Sequence, residues 1–147
     1  MAFLLELWLM LKVYKEDFTM DKIEIAEAYL DALLCEQFDP SIEVSNAMGH
    51  FNVGWTQCYE NRCEGQDLAF DKEICKQSCV ISAASSAVAE IAGVRSMCGE
   101  VKKPSSCIKR LDKGVERLRE KIKKAREKQL KARDKKAEYL RKMAGGA

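Results

Sequence analysis

The helical character of this chain is clearest in residues 108–143, which run IKRLDKGVERLREKIKKAREKQLKARDKKAEYLRKM. In the first half of this segment apolar residues recur at alternating intervals of three and four, the spacing that forms the seam of a coiled coil. The seam comprises Ile108, Leu111, Val115, Leu118, Ile122 and Ala125. Gln129 occupies the next seam position, so we expect about two and a half heptads of coiled coil and then a more solvated helix. The seam predicts a homo-oligomer formed through this helix.

Basic residues dominate the same helix. Residues 108–147 carry 16 lysines and arginines against six acidic residues, whereas residues 1–107 carry nine against 17. An acidic body with a basic arm favours a polyanionic partner. The candidate nucleic-acid-binding residues are Arg117, Arg119, Lys121, Lys123, Lys124, Arg126, Lys128, Lys131, Arg133, Lys135 and Lys136. Tyr139 is the only aromatic residue in the arm, so we expect contacts to RNA phosphates rather than base stacking. The alternative is that these charges only solvate the outer face of a coiled coil.

Composition extends the helical prediction to the whole chain. A length of 147 residues accommodates one domain with an extension, and 33% charged residues with only two prolines favour an all-α fold. The predicted organisation has apolar and amphipathic helices over residues 1–40 and a small cysteine-rich helical core over residues 41–107. A long basic coiled-coil helix and a flexible tail follow over residues 108–147.

The N-terminal segment is apolar from Phe3 to Leu11, but Glu6 interrupts it and no basic residue precedes it. This pattern argues against a signal peptide, and the run is shorter than the roughly 20 apolar residues that span a bilayer. We therefore predict no transmembrane segment. A helix buried against the core or a partner is favoured over an interfacial membrane helix.

The middle of the chain contains three more predicted elements. The apolar spacing indicates a helix from Asp21 to about Glu36, and Asp39 with Pro40 is typical of a cap and first turn. Residues 46–66 contain three glycines among aromatic and polar residues. This composition is compatible with either a helix or an irregular loop. A further helix is predicted over residues 71–91.

Side-chain size and capping residues locate the last two predicted helices. Side chains are small from Ser82 to Ala87, which lets another backbone approach closely, so the helix over residues 71–91 is predicted to be central. Ser105 or Ser106 is the predicted cap of the last helix.

Six of the seven cysteines fall between residues 58 and 107. Cys75 and Cys79 are four residues apart, so their side chains share one face of a helix, and Cys58 and Cys63 form a second pair. Two such pairs make a candidate tetrahedral zinc site. The possible substitute ligands are Cys98, Cys107 and His50, the only histidine.

Disulfides are the alternative use of these cysteines. Two disulfides could join the two pairs across a helical hairpin, with Cys98 and Cys107 forming a third and Cys35 left free. Because no secretion signal is visible, zinc or reduced thiols are favoured over this alternative.

Residues 75–99, CKQSCVISAASSAVAEIAGVRSMCG, resemble the cysteine-rich proteins of rod-shaped plant RNA viruses of the hordeivirus and benyvirus-like group. The matching residues are Cys75, Cys79, Val94, Arg95, Cys98 and Gly99. The resemblance implies zinc binding, binding of single-stranded or small RNA, self-association through the terminal coil, and suppression of host RNA silencing. It also implies host silencing or defence proteins as partners and a location in the host cytoplasm or nucleus.

The sequence contains little that predicts catalysis. It has one histidine, no glycine-rich loop that would cradle phosphate, and no pairing of a nucleophile with a base. We predict a non-enzymatic protein with two functional hypotheses. The first is a viral zinc-binding and RNA-binding suppressor of silencing. The second is a disulfide-stapled helical structural or interaction protein of a larger assembly.

Overall fold

The computed structural model describes residues 38–145 together with Leu4 and residues 25–27. The chain divides into two compact units, residues 1–38 and 39–147. The second unit consists of α1 (Pro40–Arg62), α2 (Ala69–Val94) and α3 (Pro104–Gly145), with a 3-10 helix (Arg95–Glu100) before α3. Every element of residues 38–145 is a helix, which confirms the all-α prediction and the long C-terminal helix.

The N-terminal predictions fall mostly outside the described residues. Residues 25–27 are helical, within the helix predicted from Asp21 to Glu36. The remainder of that helix and the apolar segment around Leu4 lie outside the described part of the chain.

The start of α1 forms as the sequence predicts. The Asp39 side chain caps the helix by accepting a hydrogen bond from the Ser41 backbone N–H at 2.9 Å, and Pro40 occupies the first turn. The helix continues through Gly49 and Gly54 to Arg62. Most of residues 46–66, for which the sequence allows either a helix or a loop, is therefore helical. A Cβ at Gly54 would lie 3.5 Å from the Ala83 Cβ, which shows how closely α1 and α2 approach there.

α2 is the central helix, because its contacts with α3 and with α1 are each more extensive than the contact between α1 and α3. Ala84 and Ala87 are fully buried together with Ile91, as predicted from the small side chains in this helix. The segment Ala69–Glu100 is long and apolar enough to cross a membrane by length and composition alone. The core helix of a helical bundle meets the same criterion, and 28% of the apolar window of this segment is buried within the described residues.

α3 runs antiparallel to α2 and parallel to α1. Lys136 meets Asp71 near the start of α2, whereas Asp112 meets Arg95 just beyond its end. The helix begins at Pro104, so the prediction that Ser105 or Ser106 caps it is wrong. Proline presets the helical φ, and its missing N–H needs no acceptor in a first turn.

The seam of α3 packs inside the chain. Leu111, Leu118 and Ala125 are at most 2% exposed, and α3 makes its contacts with α1 and α2. Gly114 lies within the same buried line, and Cys107 and Ala132 extend it in both directions. The other predicted seam residues, Ile108, Val115 and Ile122, are half-buried at its border.

Candidate functional site

The first candidate site is a group of four cysteines that joins α1 to α2. Cys58 is bonded to Cys79 and Cys63 to Cys75. The two disulfides are nested, as they must be in an antiparallel hairpin in which later residues of α1 face earlier residues of α2. The two disulfides therefore join the same two helices at different positions along the helix axes.

The two disulfides touch each other. The Cys63 Sγ lies 3.7 Å from the Cys79 Sγ, and because both sulfurs are already bonded, this is a contact between two disulfides rather than a hydrogen bond. The Sγ atoms of Cys63, Cys75 and Cys79 all lie within 4.8 Å of one another. Three of the predicted metal ligands thus converge, but as disulfide sulfurs.

The remaining predicted ligands do not join this group. Cys98 and Cys107 are bonded to each other, which ties the 3-10 helix to the first turn of α3. His50 directs its Nδ1 at both carboxylate oxygens of Glu90, at 2.9 and 3.0 Å.

The pairing is the disulfide alternative of the sequence analysis, not the reduced or zinc-bound state that was favoured. The physical reason is that the two cysteines of α2 each lie at bonding distance from a cysteine at the end of the first helix: Cys79 from Cys58 on α1, and Cys75 from Cys63 directly after it. Cys35 lies outside the described residues.

A shallow groove between α1 and α2 opens beside these disulfides. Its walls include Gly54, Cys58, Ser82 and Ser86, and the pair formed by His50 and Glu90 also lines it. Since the side chains of His50 and Glu90 are 69% and 36% exposed, their contact contributes little to stability. The groove gives solvent a path toward one of the two disulfides.

The second candidate site is a line of basic residues on α3, which we call the basic stripe. Its eight members each follow the last by three or four residues, so they lie along one side of the helix. They are Arg110, Lys113, Arg117, Lys121, Lys124, Lys128, Lys131 and Lys135, and all are exposed. At about 1.5 Å per residue the stripe is roughly 38 Å long. The six acidic residues of α3 all lie off it.

Most of the stripe has no partner in the described part of the protein. Arg110 donates to the Ser41 hydroxyl at 3.2 Å, and the Lys121 ammonium lies 5.4 Å from the centre of the Phe51 ring. These two contacts place the stripe on the side of α3 that borders α1. The other six members form no ion pair within residues 38–145.

The structure sorts the predicted nucleic-acid-binding residues into three groups. Six belong to the basic stripe: Arg117, Lys121, Lys124, Lys128, Lys131 and Lys135. Four are exposed on a different side of α3, which we call the outer flank: Arg119, Lys123, Arg126 and Arg133. Lys136 is paired with Asp71 at 2.6 Å, so its charge is neutralised within the chain.

Arg110 and Lys113 belong to the stripe but not to the predicted set, which begins at Arg117. Their spacing was the available signal, since the interval of three and four continues back to Arg110. A search for basic periodicity, rather than for the densest basic run, would have included both residues.

Aromatic groups near the basic helix are already in contact with other side chains. Tyr139 packs against Phe70 with ring centroids 5.7 Å apart. Trp55 has the Lys76 ammonium 5.7 Å from its ring centre. This supports the expectation that α3 offers cations rather than stacking surfaces.

No protein-family model, curated protein or solved structure matches this chain. The fold and the two sites define it as a disulfide-stapled helical bundle with a basic surface helix. The likeness to plant viral cysteine-rich proteins stays a prediction.

Proposed function

We propose that this protein is a non-enzymatic interaction module that binds the phosphate backbone of nucleic acid, with single-stranded or small RNA as the predicted form. The observation that carries the proposal is the basic stripe, which presents eight exposed cations in line without an intervening acid. The disulfide-stapled hairpin holds α3 along its length through the buried seam. The cations are therefore displayed on a helix that is formed before any partner binds.

The chemistry of the stripe suits phosphate rather than bases. Lysine and arginine neutralise phosphates and release condensed counterions, which gives binding that depends on salt and not on sequence. Neighbouring cations of the stripe are about 4.5 to 6 Å apart along the helix axis. Because Tyr139 is packed against Phe70, base stacking on this helix is not part of the proposal.

A pair of charge-matched variants tests whether the stripe is the binding surface. The stripe variant replaces Lys124, Lys128, Lys131 and Lys135 by Gln. The control variant replaces the four outer-flank residues Arg119, Lys123, Arg126 and Arg133 by Gln. Each loses four positive charges on α3 and keeps the buried seam, and Gln retains good helix propensity. The measurement is the Kd for a labelled single-stranded RNA longer than the stripe, over a range of salt concentrations.

The expected salt dependence follows from the number of contacts. With a slope of about 0.7 per single-strand phosphate contact, eight contacts predict a slope near 5.6 and four contacts a slope near 2.8. Raising salt from about 50 to about 200 mM should then weaken the native protein roughly 2,000-fold and the stripe variant roughly 50-fold. The control variant should keep the native slope, and two RNAs of different sequence should behave alike.

Two results would contradict the proposal. Equal loss of slope in the stripe and control variants would mean that only total charge matters. A native protein without measurable affinity for RNA at low salt would leave α3 as the solvated surface of a structural module.

Zinc binding by the fully reduced protein is a second candidate, favoured by the convergence of Cys63, Cys75 and Cys79. Two thiolates on one tetrahedral zinc ion, each about 2.3 Å from the metal, have sulfurs about 3.8 Å apart. The Cys63 and Cys79 sulfurs are 3.7 Å apart. The α1–α2 hairpin would thus need little rearrangement to bring the thiolates of Cys63, Cys75 and Cys79 to one zinc ion, with Cys58 as the fourth ligand.

Cobalt substitution tests this candidate, because thiolate coordination gives Co²⁺ an intense visible charge-transfer band. Fully reduced protein should develop the band and lose it on addition of zinc, whereas Cys75→Ser should give a weaker band. The oxidised protein is the control and should give none. A reduced protein without the band would exclude the site. Suppression of host silencing, which the viral resemblance predicts, requires a separate reporter assay in plant tissue.

A further inference from the structure

The two hairpin disulfides have unequal sulfurs. Each pairs one buried cysteine with one that is half-buried: Cys63 and Cys79 are 0% and 2% exposed, whereas Cys75 and Cys58 are half-buried. The contact of 3.7 Å joins the two buried sulfurs. The accessible sulfurs are thus at the outer ends of a continuous line of four sulfur atoms, in the order Cys58, Cys79, Cys63, Cys75.

We infer that this line is a thiol–disulfide relay, in which a small thiol that attacks one end releases a thiolate at the other. The inference goes beyond nucleic-acid binding and does not depend on it, since α3 contributes no cysteine to the line. Thiolates are the attacking species in disulfide exchange, and access decides which sulfur they reach. External thiols therefore react at Cys75 or Cys58.

Attack at Cys75 illustrates the reaction. The small thiolate bonds to the Cys75 Sγ, and the Cys63–Cys75 bond breaks to leave Cys63 as a thiolate. Cys63 attacks the Cys79 Sγ, forming a Cys63–Cys79 disulfide, and Cys58 leaves as a thiolate that takes up a proton. A second small thiol resolves the mixed disulfide at Cys75.

The electrons balance over the sequence of steps. Two small thiols are oxidised to one small disulfide. The two protons that they lose are carried by the Cys58 and Cys75 thiols of the product. The two protein disulfides become one disulfide and two thiols. Attack at Cys58 gives the same product by the reverse order, so both routes converge on a buried Cys63–Cys79 bond.

Two consequences distinguish the relay from ordinary reduction. First, the bond that remains joins the two buried cysteines, Cys63 and Cys79, and the two thiols that are released belong to the half-buried Cys58 and Cys75. Second, the Cys58 end opens on the groove lined by His50 and Glu90, whereas Cys75 is not among the groove residues. Reaction at one surface of the hairpin is therefore transmitted to another.

The third disulfide is an internal reference. Cys98 and Cys107 are 0% and 4% exposed, and they lie outside the line of touching sulfurs within residues 38–145. A small thiol should reduce this bond more slowly than either hairpin disulfide, and without exchange.

The test is to trap the product of limited reduction. Oxidised full-length protein carrying Cys35→Ser, so that the seventh cysteine cannot attack, is treated briefly with glutathione. It is then quenched in acid and alkylated. Trypsin cuts after Arg62, Lys72 and Lys76, so the four hairpin cysteines fall on separate peptides. Mass spectrometry should find the Cys63 and Cys79 peptides linked, with Cys58 alkylated and Cys75 alkylated or carrying glutathione. Molecules that keep one native hairpin disulfide while both cysteines of the other are alkylated would overturn the relay.

Two further variants in the same background give independent readouts. In Cys63→Ser/Cys75→Ser the entry at Cys75 and the inner attacking thiol are absent, so only direct attack at Cys58 remains, and reduction of Cys58–Cys79 should slow about twofold if the two ends react equally fast. In Cys58→Ser/Cys75→Ser, mild oxidation should form Cys63–Cys79 directly. Of the four hairpin cysteines, the matched control Cys58→Ser/Cys63→Ser keeps only Cys75 and Cys79. Their positions on one helical turn disfavour a disulfide bond. An unchanged rate in the first variant, or no bond in a helical second variant, contradicts the inference. If a variant loses its helix, the trapping result with the native cysteines decides.

Discussion

Gly114 lies where α3 has no room for a side chain. A Cβ at this position would meet both γ-methyl groups of Val44 at 2.9 Å and the Ile91 Cδ1 at 3.3 Å. Val44 is β-branched and has one strongly preferred rotamer in a helix, so it cannot turn away freely. Ile91 is 2% exposed and has equally little freedom. We therefore expect Gly114→Ala to destabilise the bundle.

The size of the effect is the difference of two terms. Alanine in a helix interior is favoured over glycine by about 1 kcal/mol. Overpacking a close-packed core costs about 1 to 3 kcal/mol. Taking the middle of that range, Gly114→Ala should lower the free energy of unfolding by about 1 kcal/mol, and the Tm by about 5 °C for a unit of this size.

Thermal unfolding followed by far-UV circular dichroism, with all disulfides intact, measures the change. Gly49→Ala is the matched control, because its Cβ would meet nothing within 4 Å, and it should raise stability by about 0.5 to 1 kcal/mol. In a Val44→Ala background, Gly114→Ala should change from destabilising to neutral or stabilising. If Gly114→Ala raises the Tm as much as Gly49→Ala does, the close approach of α3 to α1 is wrong.

Three other variants test the fold, the self-association and one disulfide. Leu118→Asp should unfold the bundle rather than only separate an oligomer, because Leu118 is 0% exposed within the chain and an unpaired buried charge costs several kcal/mol; a native circular dichroism spectrum would contradict this. Ile122→Asp, at the half-buried border of the seam, should keep the spectrum and reduce the sedimentation coefficient if a second copy packs there; a native protein that is already monomeric would contradict the homo-oligomer predicted from the seam. Replacing Cys98 and Cys107 by Ser opens a short loop, and urea unfolding should show a loss of about 2.5 to 3 kcal/mol; a loss below about 1 kcal/mol would mean that this staple adds little to the stability of the bundle.

Much of the helical architecture was predictable, because it follows from local rules. The Asp39 cap needs only a carboxylate before Pro40, and the burial of Leu111, Leu118 and Ala125 follows from periodicity. What periodicity does not give is the identity of the partner surface. A seam of this spacing fits a second copy as well as α1 and α2 of the same chain, and only the tertiary structure assigns it to the latter.

The middle helix and the cysteines were harder for different reasons. Gly49 and Gly54 lower the helix propensity of α1, and the compensating contact of Gly54 with Ala83 is between residues far apart in sequence. Zinc and disulfides need similar convergence of thiols, so spacing alone does not separate them. The deciding quantity is the oxidation state, which cysteine spacing alone does not encode.

The disulfides also set how far the chain can be stretched. The bond between Cys58 and Cys79 closes off 21 residue steps, and that between Cys98 and Cys107 closes nine more. An extended residue spans about 3.5 Å. After subtraction of the Cα separations across the two bonds, roughly 95 Å of contour length cannot be extended by a pulling force while the disulfides are intact. A single molecule held by its ends should therefore extend in two stages. The first unravels the helices outside the loops, and the second occurs only after a reductant is added.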